Sequence, residues 1–450
     1  MLRYFILFAI AFLCLASARA EEKAAERGFH WLTEKPYLPL DFDQETFDAV
    51  WQTWPEPLRA AAEKASVEQR REMAFDRYGL TKRPNDTSGK PLQYVVDERG
   101  VWTMNCFACH GGQVAGKSIP GLPNSMYALE TLTDEMRETK LLLRKKWTRM
   151  DLGGLVMPLG TTNGTTNAVM FGVALMNYRD ADLNIIKDRL PPKMTHHDMD
   201  PPPWWHFQKK SHIYIDGFAE KGSRGLMQFM LIKENGPGKF REWEKEFDDV
   251  YAYISEIEPP AYPFKIDRAL AAQGEKAFTR SCSACHGTYG ERETYPEKMV
   301  TIDEIGTDRV RFDALSEAHR RGYGESWFAH YGKQNTLAKP AGYVAPPFDG
   351  IWASAPYFHN GSVPTLWHVL HPQDRPAVWR RASIAGYDQT RVGIEVETLN
   401  ELPAAAKNDK RQRREYFNTK AFGKSAAGHE FVEELSGAEK AAVLEYLKTL

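Results

Sequence analysis

Cys106-Phe107-Ala108-Cys109-His110 and Cys282-Ser283-Ala284-Cys285-His286 are the two stretches from which the rest of the sequence can be read. In each, two thiols three positions apart are followed at once by a histidine. Thiols at that spacing reach the two vinyl groups on one edge of a porphyrin, and the adjacent imidazole turns to the iron, so one short segment fixes a c-type haem and its proximal ligand. A zinc site would pair two Cys-x-x-Cys units or join one to a His set, whereas here residues 111–281 separate the units and each carries its own histidine. A thioredoxin-like pair needs one Cys-x-x-Cys near a βαβ pattern. At these Cys and His frequencies one such motif arises by chance roughly 0.002 times. The reading is two covalently bound haem c groups, tethered through Cys106, Cys109, Cys282 and Cys285, with His110 and His286 as proximal ligands.

Of the five cysteines only Cys14 falls outside the motifs. It lies in the apolar run Phe5 to Leu15, which follows Met1-Leu2-Arg3 and precedes Ala18-Arg19-Ala20. That is the pattern of a cleavable secretory signal over residues 1–20, because about eleven apolar residues fall short of the roughly 20 that cross a bilayer. No later stretch approaches that length, so the mature chain is expected to lack a transmembrane segment and to be periplasmic or secreted. Export normally turns spare thiols into disulfides, yet after cleavage every thiol belongs to a haem motif. The 58 Lys and Arg oppose 60 Asp and Glu, and loss of Arg3 and Arg19 leaves 56 against 60, near −4. That balance excludes a nucleic-acid partner.

About 430 mature residues exceed one core. Residues 41–78 alternate apolar and charged residues at helical spacing (Phe47, Val50, Trp51, Trp54, Leu58, Ala62, Ala65), and residues 21–94 read as an N-terminal helical cap. Residues 95–260 read as the first haem domain, with helices at 133–148 and 167–178 and irregular backbone where Pro191-Pro192 and Pro201-Pro202-Pro203 fall. Pro259-Pro260 marks the boundary to the second haem domain, 261–450. There a helix over 267–279 precedes the cysteines and the capping box Ser436-Gly437-Ala438-Glu439 opens a closing helix, with a long insertion at 290–425 between them. The fold class is mainly α: two cytochrome c-like helical haem domains with long loop insertions and the helical cap.

Ala345-Pro346-Pro347-Phe348-Asp349-Gly350-Ile351-Trp352 and Ala355-Pro356-Tyr357-Phe358-His359-Asn360-Gly361-Ser362-Val363-Pro364-Thr365-Leu366 resemble the bacterial di-haem cytochrome c peroxidase superfamily. Ser425-Ala426-Ala427-Gly428-His429-Glu430 adds a resemblance to its rubber oxygenase-like branch. The resemblance covers residues 95–450 and is specific in the second unit. It implies one reactive haem and one relay haem, with His429 as the second ligand of the C-terminal one. His359 is the chief rival, with the alternative of holding its loop against a haem propionate; His368 and Met299 are outsiders. The same branch lines its distal pocket with Trp and Phe, which points to Trp204, Trp205 and Phe218 against a plain reading as core. His196, His197, Met199, His206 and His212 all lie where they could reach the first haem. The Lys407–Arg414 cluster reads as a solvated helix face, with a docking patch as the functional option. Gly160-Thr161-Thr162-Asn163-Gly164 lacks the ending of a phosphate-binding loop.

The expected function is electron transfer through both haems, with peroxidase- or oxygenase-like chemistry at the first and relay through the second. A small cytochrome or cupredoxin is the expected redox partner, and a small-molecule oxidant the substrate. The alternatives are a pure carrier with both irons six-coordinate, and a non-catalytic haem subunit of a larger redox complex. The length of residues 111–260 favours a reactive pocket.

Overall fold

The structure, a computed structural model, describes residues 22–156 and 159–450. The expected signal segment and Cys14 lie outside the described residues. The protein is mostly helical, with 43% helix and 11% strand in small sheets.

Two helix crossings organise it. Helix α1 (Ala24–Glu34) packs on α2 (Glu244–Glu256), and α3 (Arg268–Ser281) packs on α4 (Gly437–Leu447). A glycine sits at each crossing. A Cβ on Gly28 would lie 2.2 Å from the Asp249 carbonyl oxygen and 2.8 Å from the Tyr253 Cβ; one on Gly274 would lie 1.9 Å from the Ala442 carbonyl oxygen and 2.9 Å from the Tyr446 Cβ. No side chain fits, so each pair approaches backbone to backbone. Sequence signals fix the ends of the second pair: Asp267 accepts from the Ala269 and Leu270 amides, and Ser436 and Glu439 form the expected capping box.

The first pair ties the opening part of the expected cap, residues 21–94, to residues near the first haem motif. Arg27 and Trp31 of α1 both bond Asp249 of α2, at 2.6 Å and 3.1 Å, and Leu32 shares a core with Phe107, Trp204, Phe247 and Ile254. The first helix among the described residues is therefore the partner of Glu244–Glu256.

The rest of the cap shares a core, with Phe42, Phe47, Trp54, Tyr78 and Tyr94 packed beside Trp102, Ala108, Tyr127 and Leu132. It includes short helices at Gln44–Ala49, Leu58–Lys64 and Val67–Tyr78. A three-stranded antiparallel sheet carries β1 (Phe42–Asp43), β2 (Tyr94–Val96) and β3 (Val101–Met104), with β3 central. The end of β3 delivers the chain to Cys106. The helix expected over 133–148 runs instead from Leu129 to Leu142 and is followed by Arg149–Val156; Arg144 at φ 56° breaks the run. The helix expected at 167–178 forms as Ala168–Asn177. No helix among the described residues is long and apolar enough to cross a membrane.

A third core includes Phe278, Ile351, Trp352, Val443 and Leu447. Trp204 lies in the core shared by Leu32, Phe247 and Phe328, and its neighbour Trp205 in the third. Adjacent residues thus join two cores, each of which draws on residues from both sides of Pro259-Pro260.

Candidate haem centres

The Cys-x-x-Cys-His segments form one-turn helices, Phe107–His110 and Ser283–His286, and their four cysteines are unpaired. Each histidine is oriented in the same way. His110 Nδ1 lies 3.1 Å from the Pro202 carbonyl oxygen, and His286 Nδ1 lies 2.9 Å from that of Pro346. A ring whose Nδ1–H is committed to a carbonyl presents Nε2 to a metal, which is how ligating imidazoles are held. Burial pushes both down to about 4, which keeps the coordinating form neutral.

Two residues beyond each proline an aromatic ring covers the imidazole. Trp204 stacks on His110 at 4.9 Å and 26°; Phe348 stacks on His286 at 4.0 Å and 26°. Pro202-Pro203-Trp204 and Pro346-Pro347-Phe348 are thus one device used twice. The two loops also touch: Trp205 Nε1–H donates to the Asp349 carbonyl at 2.6 Å, and His206 Nε2 lies 3.2 Å from the same oxygen.

Facing His286 is His429, with ring centroids 6.1 Å apart at 60°. Two imidazoles bound to opposite sides of one metal, each nitrogen about 2 Å from it, have their ring centres about 6 Å apart. The spacing fits a single iron between them. Burial, then the neighbouring His286 and Arg375, push His429 down to about 3. A tight turn holds it: Gly428 at φ 84° has room for no Cβ, which would fall 2.3 Å from the Gly306 carbonyl carbon, and His429 N donates to the Ile305 carbonyl at 2.7 Å. Arg375 locks the turn, donating to the Ala426 and Gly428 carbonyls at 2.7 and 2.8 Å beneath the Phe358 ring.

The rivals are occupied elsewhere. His359 packs its ring on Tyr343 at 4.6 Å. His368 Nδ1 is 2.7 Å from the Thr365 hydroxyl that caps its helix, and Met299 Sδ accepts from the Ala341 amide at 3.3 Å.

Trp204, Trp205 and Phe218, expected to line a distal pocket, lie in three different surroundings. A group across a porphyrin from His110 would stand at least about 6 Å from its ring centre, and Trp204, at 4.9 Å, is on the proximal side. Trp205 belongs to the other core. Phe218 packs between Tyr214, at 4.6 Å, and Tyr323, at 5.4 Å. Among the nearby histidines, His196 Nε2 is 3.3 Å from Asp198, His212 lies beside Glu297, and His197 ties its Nδ1 to the Thr195 carbonyl at 3.0 Å. Met199 pairs by backbone with Thr166.

The loop at 160–164 wraps the buried Asp198: the Thr161 hydroxyl and Lys424 ammonium reach its carboxylate at 2.6 and 2.9 Å. Cations of the 407–414 cluster are spent inside the molecule, Lys407 on Glu401 at 2.9 Å, Arg411 on Glu138 and Arg414 on Asp134 at 2.7 Å. Sequence reasoning passed over the Pro202 and Pro346 carbonyls, Phe348 and Arg375. The repeated Pro-Pro-aromatic triplet was the signal available for the first three.

A family model described as RoxA-like, cytochrome c-like matches residues 342–380, which hold Pro346, Phe348 and Arg375. The chain is also similar to two uncharacterized proteins of Sinorhizobium fredii. It is 30% identical to y4iM over 229 residues, 45% of this chain and 50% of that protein, and 26% identical to y4iJ over 260 residues, 43% of this chain and 41% of that protein. The chain spans half or less of the length of these relatives. The family match supports a cytochrome c-like domain of the rubber oxygenase-like kind, with covalently bound haem c and a redox role.

Proposed function

We propose that the chain is an exported di-haem c-type cytochrome in which the second haem relays electrons to or from a first haem with peroxidase- or oxygenase-like chemistry. The observation that carries the reading is the duplicated clamp: two Cys-x-x-Cys-His imidazoles, each held by a proline carbonyl and covered by the aromatic two residues on. When bound, haem c supplies a one-electron iron centre, and an open sixth position on it admits a small oxidant. Residues 95–260, with α1, hold the first haem, and 261–450 hold the second.

His286 and His429 would hold the second iron between them, a ligand pair suited to relay. From His110 a continuous route runs through the stacked Trp204 to Trp205, across the 2.6 Å hydrogen bond to Asp349, and through Phe348 to His286. A small cytochrome or cupredoxin exchanges electrons with this pair. Matured protein should give a pyridine haemochrome of two haems per chain, and its electron paramagnetic resonance spectrum one high-spin and one bis-imidazole low-spin iron. A single haem refutes the assignment, and two low-spin irons with no response to peroxide or oxygen make the chain a carrier.

A further inference from the structure

Apart from His110 and the His286–His429 pair lies a buried cluster whose charges do not balance. Arg311 and Arg320 are 1% and 5% exposed and share one carboxylate, that of the fully buried Asp216. Arg320 takes it at 2.8 and 3.2 Å, while Arg311 reaches it only at 3.4 and 3.5 Å. The Arg311 Nε has no partner among the described residues. The nearby Asp308 commits its two oxygens to the Val310 and Ser425 amides. One guanidinium charge therefore remains uncompensated, a state that costs several kcal/mol unless an anion joins it.

Further polar atoms stand unpartnered around Arg311. His197, 2% exposed, leaves Nε2 without a partner, as Tyr214 leaves its hydroxyl. His359 sits against the same guanidinium, which, after burial, is the next influence holding its imidazole neutral. A guanidinium N–H, an imidazole and a hydroxyl form a donor set for a carboxylate. The enclosure of Arg311 implies that the anion is built in with the fold. The second haem site is close: Phe358, the residue before His359, has its ring 6.1 Å from that of His429, and Tyr343, whose ring lies 4.6 Å from that of His359 at 50°, is three residues before Pro346, the anchor of His286.

We propose that Arg311, flanked by His197 and His359, receives a propionate carboxylate of the porphyrin tethered at Cys282 and Cys285. This rests on the two-haem reading above, and it makes His359 a propionate donor and not an iron ligand. It also has a residue of the first unit, His197, hold the cofactor of the second.

The test uses full-length matured protein and its R311Q and R311K variants. Haem content by pyridine haemochrome tests the underlying reading separately: fewer than two haems in the unsubstituted protein removes that reading. With two haems present, R311Q is expected to keep the bis-imidazole spectrum, shift the propionate-bending band in resonance Raman and lower the potential of the low-spin haem. R311K, which keeps the charge but not the fork, is expected to shift the band with a smaller change in potential, and it serves as the readout if R311Q does not mature. An unchanged band and potential in the substituted protein overturns the proposal. Formate titrated into the unsubstituted protein distinguishes a free anion: a band or potential that follows formate concentration, and does so only while Arg311 is present, overturns the propionate assignment.

Discussion

Single residues decide ligation, and here two of them carry separate consequences. His429→Ala should turn the second haem from low-spin to high-spin while leaving the haem count intact; an unaltered spectrum would pass the role to His359. Arg375→Gln removes the donor from the part-buried carbonyls of Ala426 and Gly428. Leaving a fully buried group unpaired costs about 1–3 kcal/mol and a part-buried one less, so the variant should show a high-spin fraction that grows on warming, followed by absorption spectroscopy against temperature. The attaching cysteines and proximal histidines were legible because their chemistry is packed into five consecutive residues. His429 could not be reached that way: its partner His286 is far off in sequence, and only a resemblance pointed to it. For Trp204, nothing local says on which side of a porphyrin a tryptophan will lie, whereas the fold sets its ring against that of His110.

At the scale of elements the two helix crossings behave as matched joints. Gly274→Ala places a methyl 1.9 Å from the Ala442 carbonyl oxygen, so α3 and α4 must separate. Overpacking of that kind costs about 1–3 kcal/mol, and it outweighs the roughly 1 kcal/mol that alanine gains over glycine inside a helix. The variant should melt lower than the parent by calorimetry; an equal or higher melting temperature would show that the crossing is not limiting. Gly28→Ala should act alike on α1 and α2, where the backbone oxygen is 2.2 Å away. The second joint was readable because Gly274 precedes Cys282 closely. The first was not, because the cap separates Gly28 from Cys106 and hides that α1 belongs to the haem unit.

For the whole molecule, two of the three cores meet where neighbouring tryptophans part company. Trp205→Phe keeps most of the buried ring but loses the 2.6 Å hydrogen bond to Asp349, so rapid-mixing spectroscopy should find slower equilibration between the haems with both static spectra unchanged. An unchanged rate would place the route elsewhere. Trp204 and Phe348 each rest on the imidazole of their own site, and the two loops meet at Trp205 and Asp349. On the proposed two-haem reading, charge would pass between the backs of the two cofactors, and a molecule reacting at the front of the first would be exchanged, turned over or excluded without breaking the wire behind it.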